Sequence, residues 1–211
     1  MYLPEAFHET RLSVLHAFIR RHSFATLISS NARDGVQISH LPMLLDPARG
    51  HHGTLMGHLA RPNPQWKGFA GNGTQATAVF AGPHAYISPR WYQTRIAVPT
   101  WNYASVYVRG AARVVEERSR LTEFLEALSD NYESGVDQPW TMDDLPEQMR
   151  EKLIDGIVGI ELEIISIDGK FKLSQNRPAA DRPGVIAGLS QSDSYEERAL
   201  AALMSEDRKE V

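Results

Sequence analysis

The chain has 211 residues, 42% of them hydrophobic, and a formal charge of −4. That is enough apolar material for a sizeable core and too little positive charge for a surface dedicated to nucleic-acid phosphates. It contains no cysteine, which excludes disulfides, thiolate nucleophiles and Cys-ligated metals. No apolar run approaches the ~20 residues needed to span a bilayer, and Met1-Tyr2-Leu3-Pro4-Glu5 lacks the basic and apolar segments of a secretory signal. The expected location is the cytoplasm, with no membrane partner.

Residues 8–21 read as a helix, with Leu12, Leu15 and Ile19 on one side. Short β-like runs follow at Phe24–Ser29, Val36–Leu45, Thr54–Leu59, Ala76–Phe80, Ala85–Ser88 and Ser105–Val115. Asn31-Ala32-Arg33-Asp34-Gly35 is a turn signal that makes a hairpin of the first two. Strands this short and closely spaced favour an antiparallel barrel over a βαβ sheet. Leu121, Phe124, Leu125 and Leu128 recur at helical spacing, predicting an amphipathic helix over 119–132 and a shorter one around 144–154. Ile157–Ile167, the turn Asp168-Gly169 and Lys170–Ser174 read as a strand pair. Ser194 and Glu197 are spaced as a capping box for a last helix over about 194–206. The expectation is one domain over 1–211, mainly β with peripheral helices, and with an acidic helical insertion at about 116–155 between barrel strands.

Charge is unevenly distributed. Between Asp46 and Glu116 lie 69 residues without an Asp or Glu, while Arg49, Arg61, Lys67, Arg90, Arg95, Arg109 and Arg113 fall inside. Residues 116–155 then carry twelve acidic and four basic residues, a net of −8. The acid-free tract predicts positive potential that attracts phosphate or another anion. Within it, Arg61 follows a strand and precedes Pro62-Asn63-Pro64, presenting a rigid fork of donors suited to phosphate. Asn63 adds an amide, and Pro64 is placed to open a short helix. His40 and Pro42 interrupt an otherwise apolar strand, as at an edge or a bulge. The aromatic tracts 82–92 and 98–103 read as loops, fit either to stack a planar ring or to form a subunit interface. Ser174-Gln175-Asn176-Arg177 ends a strand with polar donors. His51-His52 has no spaced carboxylate partner, so no metal site is expected. No acid/base or hydride-handling residue identifies itself as catalytic.

Several blocks occur in order: Met1-Tyr2-x-Pro4-x-x-Phe7, Ala25-Thr26-Leu27, His40-Leu41-Pro42, and Gly57-His58-Leu59-Ala60-Arg61-x-Asn63-Pro64-Gln65-Trp66. Gly82-Pro83-His84-Ala85-Tyr86-Ile87-Ser88-Pro89, Val98-Pro99-Thr100-Trp101-Asn102-Tyr103 and Lys172-Leu173-Ser174-Gln175-Asn176-Arg177 complete them. Together they resemble the PaiB family, FMN-binding negative transcriptional regulators. The resemblance implies a six- or seven-stranded antiparallel FMN-binding split β-barrel, a homodimer and FMN as cofactor. It implies His40 and Leu41 beside the flavin ring, His58, Ala60, Arg61 and Asn63 on the phosphate side, and Gln175 and Arg177 approaching from the late strand. Arg90 stands where the family has a small residue, and Tyr107 where it more often has His. Three functions follow as alternatives. One is a flavin or small-molecule sensor that represses genes through DNA or a regulatory protein partner. The second is a flavin-dependent oxidoreductase on a small planar substrate, and the third a split barrel that binds haem.

Overall fold

The computed structural model describes residues 1–31, 35–71, 73–94, 96–115 and 117–206. The elements in chain order are β1 (His8–Glu9), α1 (Leu12–Arg21), β2 (Phe24–Asn31), β3 (Gly35–Pro42), β4 (Leu44–Asp46) and β5 (Thr54–Ala60). After a 3₁₀ turn at Pro64–Phe69 come β6 (Thr74–Ile87), a 3₁₀ turn at Pro89–Trp91, β7 (Thr100–Val115) and α2 (Arg118–Glu133). A 3₁₀ turn at Met142–Asp144, α3 (Glu147–Asp155), β8 (Ile157–Lys172), α4 (Asp181–Ser190) and α5 (Tyr195–Glu206) complete the chain. Two compact units emerge, one of Ile19–Phe80 with Tyr107–Ile167, the other of Met1–Phe18, Ala81–Val106 and the described part of Asp168–Val211.

The strand order is β3-β2-β6-β7-β8-β5-β4, with the two-residue β1 added on β8. The pairs β2–β3, β2–β6, β4–β5, β5–β8 and β1–β8 are antiparallel. In the first unit β3 and β4 stand at opposite ends of this order, yet only Met43 separates them in the chain. The sheet must therefore curl until its edges nearly meet, as in a barrel. A Cβ on Gly57 of β5 would lie 2.8 Å from Leu41 Cδ1 and 3.1 Å from the Pro42 carbonyl, so β3 ends directly against β5. No ladder joins β3 to β4 among the described residues, and the barrel stays split there.

Period-two alternation fills the barrel. β2 buries Ala25 and Leu27, β5 Leu55 and Leu59, β6 Ala76, Ala78 and Phe80, and β8 Ile160, Leu162 and Ile164. Each large side chain so buried contributes roughly 1.5–3 kcal/mol. The acidic segment becomes α2 and α3, which carry their own apolar cluster of Leu121, Phe124, Met142 and Ile154. Their acidic residues are mostly exposed.

In the second unit α4 opens with Asp181-Arg182-Pro183-Gly184. Pro183 sits in the first turn, where its missing N–H is tolerated. Gly184 and Gly188, one turn apart, lie against Trp91. A Cβ on the first would strike the Trp91 carbonyl and on the second its indole ring.

The structure corrects several sequence expectations. The first helix begins at Leu12, because His8 and Glu9 pair with Lys170 and Gly169 as β1. Val36–Leu45 is two strands broken at Met43. Asp168-Gly169 is no hairpin turn, since β8 runs straight through it. Gly169 is small because a Cβ there would meet Leu15 and Glu9. The tracts 82–92 and 98–103 are largely strand, as parts of β6 and β7. Positions 32–34 of the predicted hairpin turn lie outside the described residues, although Asn31 pairs with Gly35 as that turn requires.

Candidate functional site

β3 displays its residues alternately. Leu41 points inward and is buried. Val36, Ile38 and His40 are exposed on the opposite face, opposite Ser30, Ile28 and Thr26 of β2. Phe24, 64% exposed, stacks on the His40 ring at 6.2 Å. Val36 and Ile38 are 65% and 58% exposed, so this outer face offers apolar side chains to solvent.

The turn after β5 is tied to the same two strands, through Ser39 and Ser29 on their other face. Asn63 Nδ2 donates to Ser39 Oγ on β3 at 2.8 Å. Its Oδ1 accepts from the Gln65 backbone at 3.0 Å, capping the 3₁₀ turn that Pro64 opens. Gln65 is buried and its amide donates to Leu27 O, Ser29 Oγ and Gln37 O, tying the turn to β2 and β3. Trp66 Nε1 donates back to the Arg61 carbonyl at 2.9 Å. Arg61 points the other way. Its Nε donates to Asp155 O at 2.6 Å and its Nη2 to Ile157 O at 2.8 Å, holding the turn from α3 into β8. Its backbone N–H adds a bond to Gly156 O at 2.8 Å. A guanidinium at the C-terminal end of a helix also meets the favourable end of the dipole. Ala60, exposed, pairs with Ile157 at the end of the β5–β8 ladder.

His58 faces outward from β5, but its ring packs edge-on against Phe124 of α2 at 6.1 Å. Burial holds its pKa below the usual imidazole value, and Nδ1 has no hydrogen-bond partner among the described residues. The unfolded chain therefore binds this proton more readily. Stability should fall as pH drops below the unfolded value of about 6.5. His58→Leu is expected to flatten that part of a melting-temperature profile between about pH 7 and 5. An unchanged slope would show that His58 is not its source.

The acid-free tract is less positive in three dimensions than along the chain. Arg49 pairs with Glu161 and Arg113 with Glu163, each at 2.8 Å, and Arg120 adds a second cation at Glu161. The antiparallel β8 supplies acids that the local sequence lacks. Arg95 lies outside the described residues.

The late candidates belong to the other unit. Gln175 folds onto its own strand, with Oε1 accepting from Leu173 N and Nε2 donating to Phe171 O, both at 2.6 Å. Arg177 stacks on Tyr92 at 4.3 Å and donates through Nε and Nη2 to Asp181 at 3.2 and 2.9 Å and through Nη2 to Thr94 Oγ1 at 2.8 Å. Asp181, fully buried, also accepts the Gln93 and Thr94 N–H groups and the Thr94 hydroxyl. No pattern in the sequence marks Asp181, and Ser174, expected as a polar donor at the strand end, has φ +67° and accepts from buried Asn102 at 2.8 Å. Arg90 is exposed in the 3₁₀ turn Pro89–Trp91, and Tyr107 is partly buried on β7.

Residues 1–166 match the family model described as "Putative FMN-binding domain". The chain is 34% identical over 209 residues to "Protease synthase and sporulation protein PAI 2" of Bacillus subtilis, covering 99% of each. Among solved structures, the flavocytochrome Anf3 from Azotobacter vinelandii matches with a TM-score of 0.59 at 12% identity, over 78% of this chain and 69% of that one. The FAD and heme binding protein from Mycobacterium smegmatis gives 0.55 at 17% identity, over 78% and 73%. These two likenesses are of fold. The chain belongs to the FMN-binding, PaiB-type family of split-barrel proteins.

Proposed function

We propose that this protein is an FMN-responsive negative regulator of transcription, with the flavin lying along β3 and its phosphate at the turn after β5. One juxtaposition carries the reading. β3 exposes Val36, Ile38 and the His40 ring that stacks with Phe24, and its Ser39 anchors Asn63 of the Arg61–Asn63 turn. FMN needs just these two features, a platform for a flat tricyclic ring and donors for one phosphate. When bound, FMN supplies a redox-active ring. Leu41 supports the strand from inside, Ala60 carries no bulky side chain, and the phosphate must share or displace the hold of Arg61 on the Asp155 and Ile157 carbonyls. Asn63 is fixed by Ser39 and Gln65, so its position is set before the ligand arrives. The regulatory output passes to DNA or a protein partner. Transcript profiles of a deletion strain complemented with wild type or Arg61→Ala test it. Matching profiles from the two, with NAD(P)H oxidation by the purified holoprotein, would favour the oxidoreductase reading instead.

The reading includes a homodimer. Tyr86, Ile96, Val98 and Trp101 are 46%, 96%, 75% and 53% exposed, large apolar side chains of the kind that subunit contacts cover. Light scattering at micromolar concentration should give twice the mass of 23.6 kDa, and Val98→Asp with Trp101→Ala should give the monomer. A wild-type monomer would overturn this.

A further inference from the structure

A cavity lies among the helices of the acidic insertion. Leu125 and Leu128 of α2, Met142 and Leu145 of the connecting segment, Ile154 of α3 and Ile157 of β8 line it. Trp140 and Leu153, 43% and 51% exposed, stand at its opening. Its volume of about 260 Å³ lies just below the roughly 300–1,000 Å³ of ordinary small-molecule sites. The residues around it carry a single ionisable group, the guanidinium of Arg150. Helices built only to cover the barrel would close over these apolar side chains. Here Met142 and Ile154 of the apolar cluster, with Leu125, Leu128 and Ile157 packed against it, line a pocket open on one side.

We propose that this cavity binds a small amphiphilic monoanion, a medium-chain fatty acid or an aryl carboxylate, with its apolar body among the leucines and its carboxylate on Arg150. The charge pattern selects the anion. Segment 116–155 carries net −8, yet the one ionisable group lining the chamber is a cation. Arg150 is held by Asp143 at 2.7 Å, but the Asp143 side chain is 90% exposed against 27% for Arg150. An ion pair with one partner in water contributes little, so an incoming carboxylate can replace Asp143 while the apolar chain leaves water. The cavity adjoins the proposed phosphate turn, since Ile157 lines it and its carbonyl accepts from Arg61, but the proposal does not depend on flavin binding.

The test compares octanoate, octanol and octylamine on the full protein by calorimetry and Trp140 emission. Octanoate should saturate at one site per chain and shift the emission, and Trp140→Phe should abolish that shift while leaving the heat of binding. Arg150→Ala should weaken octanoate about tenfold and leave octanol unchanged. Leu153→Trp, at a half-exposed position that leaves the fold intact, should narrow the mouth and weaken both. Absence of saturable octanoate binding would overturn the proposal. So would octylamine binding as well as octanoate, or octanoate binding unchanged in both Arg150→Ala and Leu153→Trp.

Discussion

Replacing Arg61 by alanine is expected to weaken FMN about ten- to a hundredfold, since a charge-assisted hydrogen bond contributes about 1.5–3 kcal/mol and each 1.4 kcal/mol is roughly tenfold. Riboflavin, which lacks the phosphate, should bind nearly as before. The structure adds a second consequence. Arg61 Nε and Nη2 also hold the carbonyls of Asp155 and Ile157, so the variant should melt roughly 2–4 °C lower. Arg61→Lys keeps the charge but not the fork, and should recover only part of either effect. Titration of both flavins, with a melting curve for each variant, separates the two roles. Equal weakening of FMN and riboflavin would mean that Arg61 supports the ring or the fold. A loss of melting temperature with no change in FMN would leave Arg61 a cap on α3 alone.

Asp181→Asn should be the more damaging to stability. Burial alone would raise the Asp181 carboxyl, but hydrogen bonds from Thr94 and Arg177 and the charge of Arg177 outweigh it and hold the pKa low. Removing the charge leaves Arg177 beside a neutral amide and two backbone donors aimed at a weaker acceptor. Breaking one side of a buried pair of this kind lowers the melting temperature of a chain this size by roughly 10 °C or more. A depressed carboxylate stabilises fully above its unfolded value of about 3.9, and that stability is lost as pH falls through the lower folded value. The wild type should therefore lose stability below about pH 4, while Asp181→Asn should start lower and change less there. Arg177→Ala should reproduce much of the loss. If it weakened FMN without lowering the melting temperature, Arg177 would be a phosphate ligand rather than the partner of Asp181.

Hydrophobic period and turn chemistry revealed most of the barrel, because alternation in β2 and β5 and helical spacing in α2 are local properties of the chain. Where the reading departed from the structure, a distant contact was responsible. Gly169 looks like a turn glycine, but Leu15 and Glu9 from the other end of the chain require its smallness. Pro183, Gly184 and Gly188 argue against a helix, and α4 forms nonetheless because the two glycines admit Trp91. Among the site residues, the short helix opened by Pro64 was legible in the sequence, whereas Asn63, expected to offer its amide to phosphate, serves as the cap of that turn. The use of Arg61 on carbonyls 94 and 96 positions away was not, and neither was the pairing of Arg49 and Arg113 with acids of β8. Linear charge runs do not report which residues a returning strand brings alongside.

The most direct measurement is a parallel titration of the protein with FMN, FAD and riboflavin, followed by quenching of flavin fluorescence. A site built for one phosphate at the end of β5 and one ring on the face of β3 predicts FMN tightest, with riboflavin weaker for want of the phosphate. It predicts FAD weaker because its second phosphate and adenosine meet no matching donors. FAD binding as well as or better than FMN, or no saturable binding of any flavin, would contradict it.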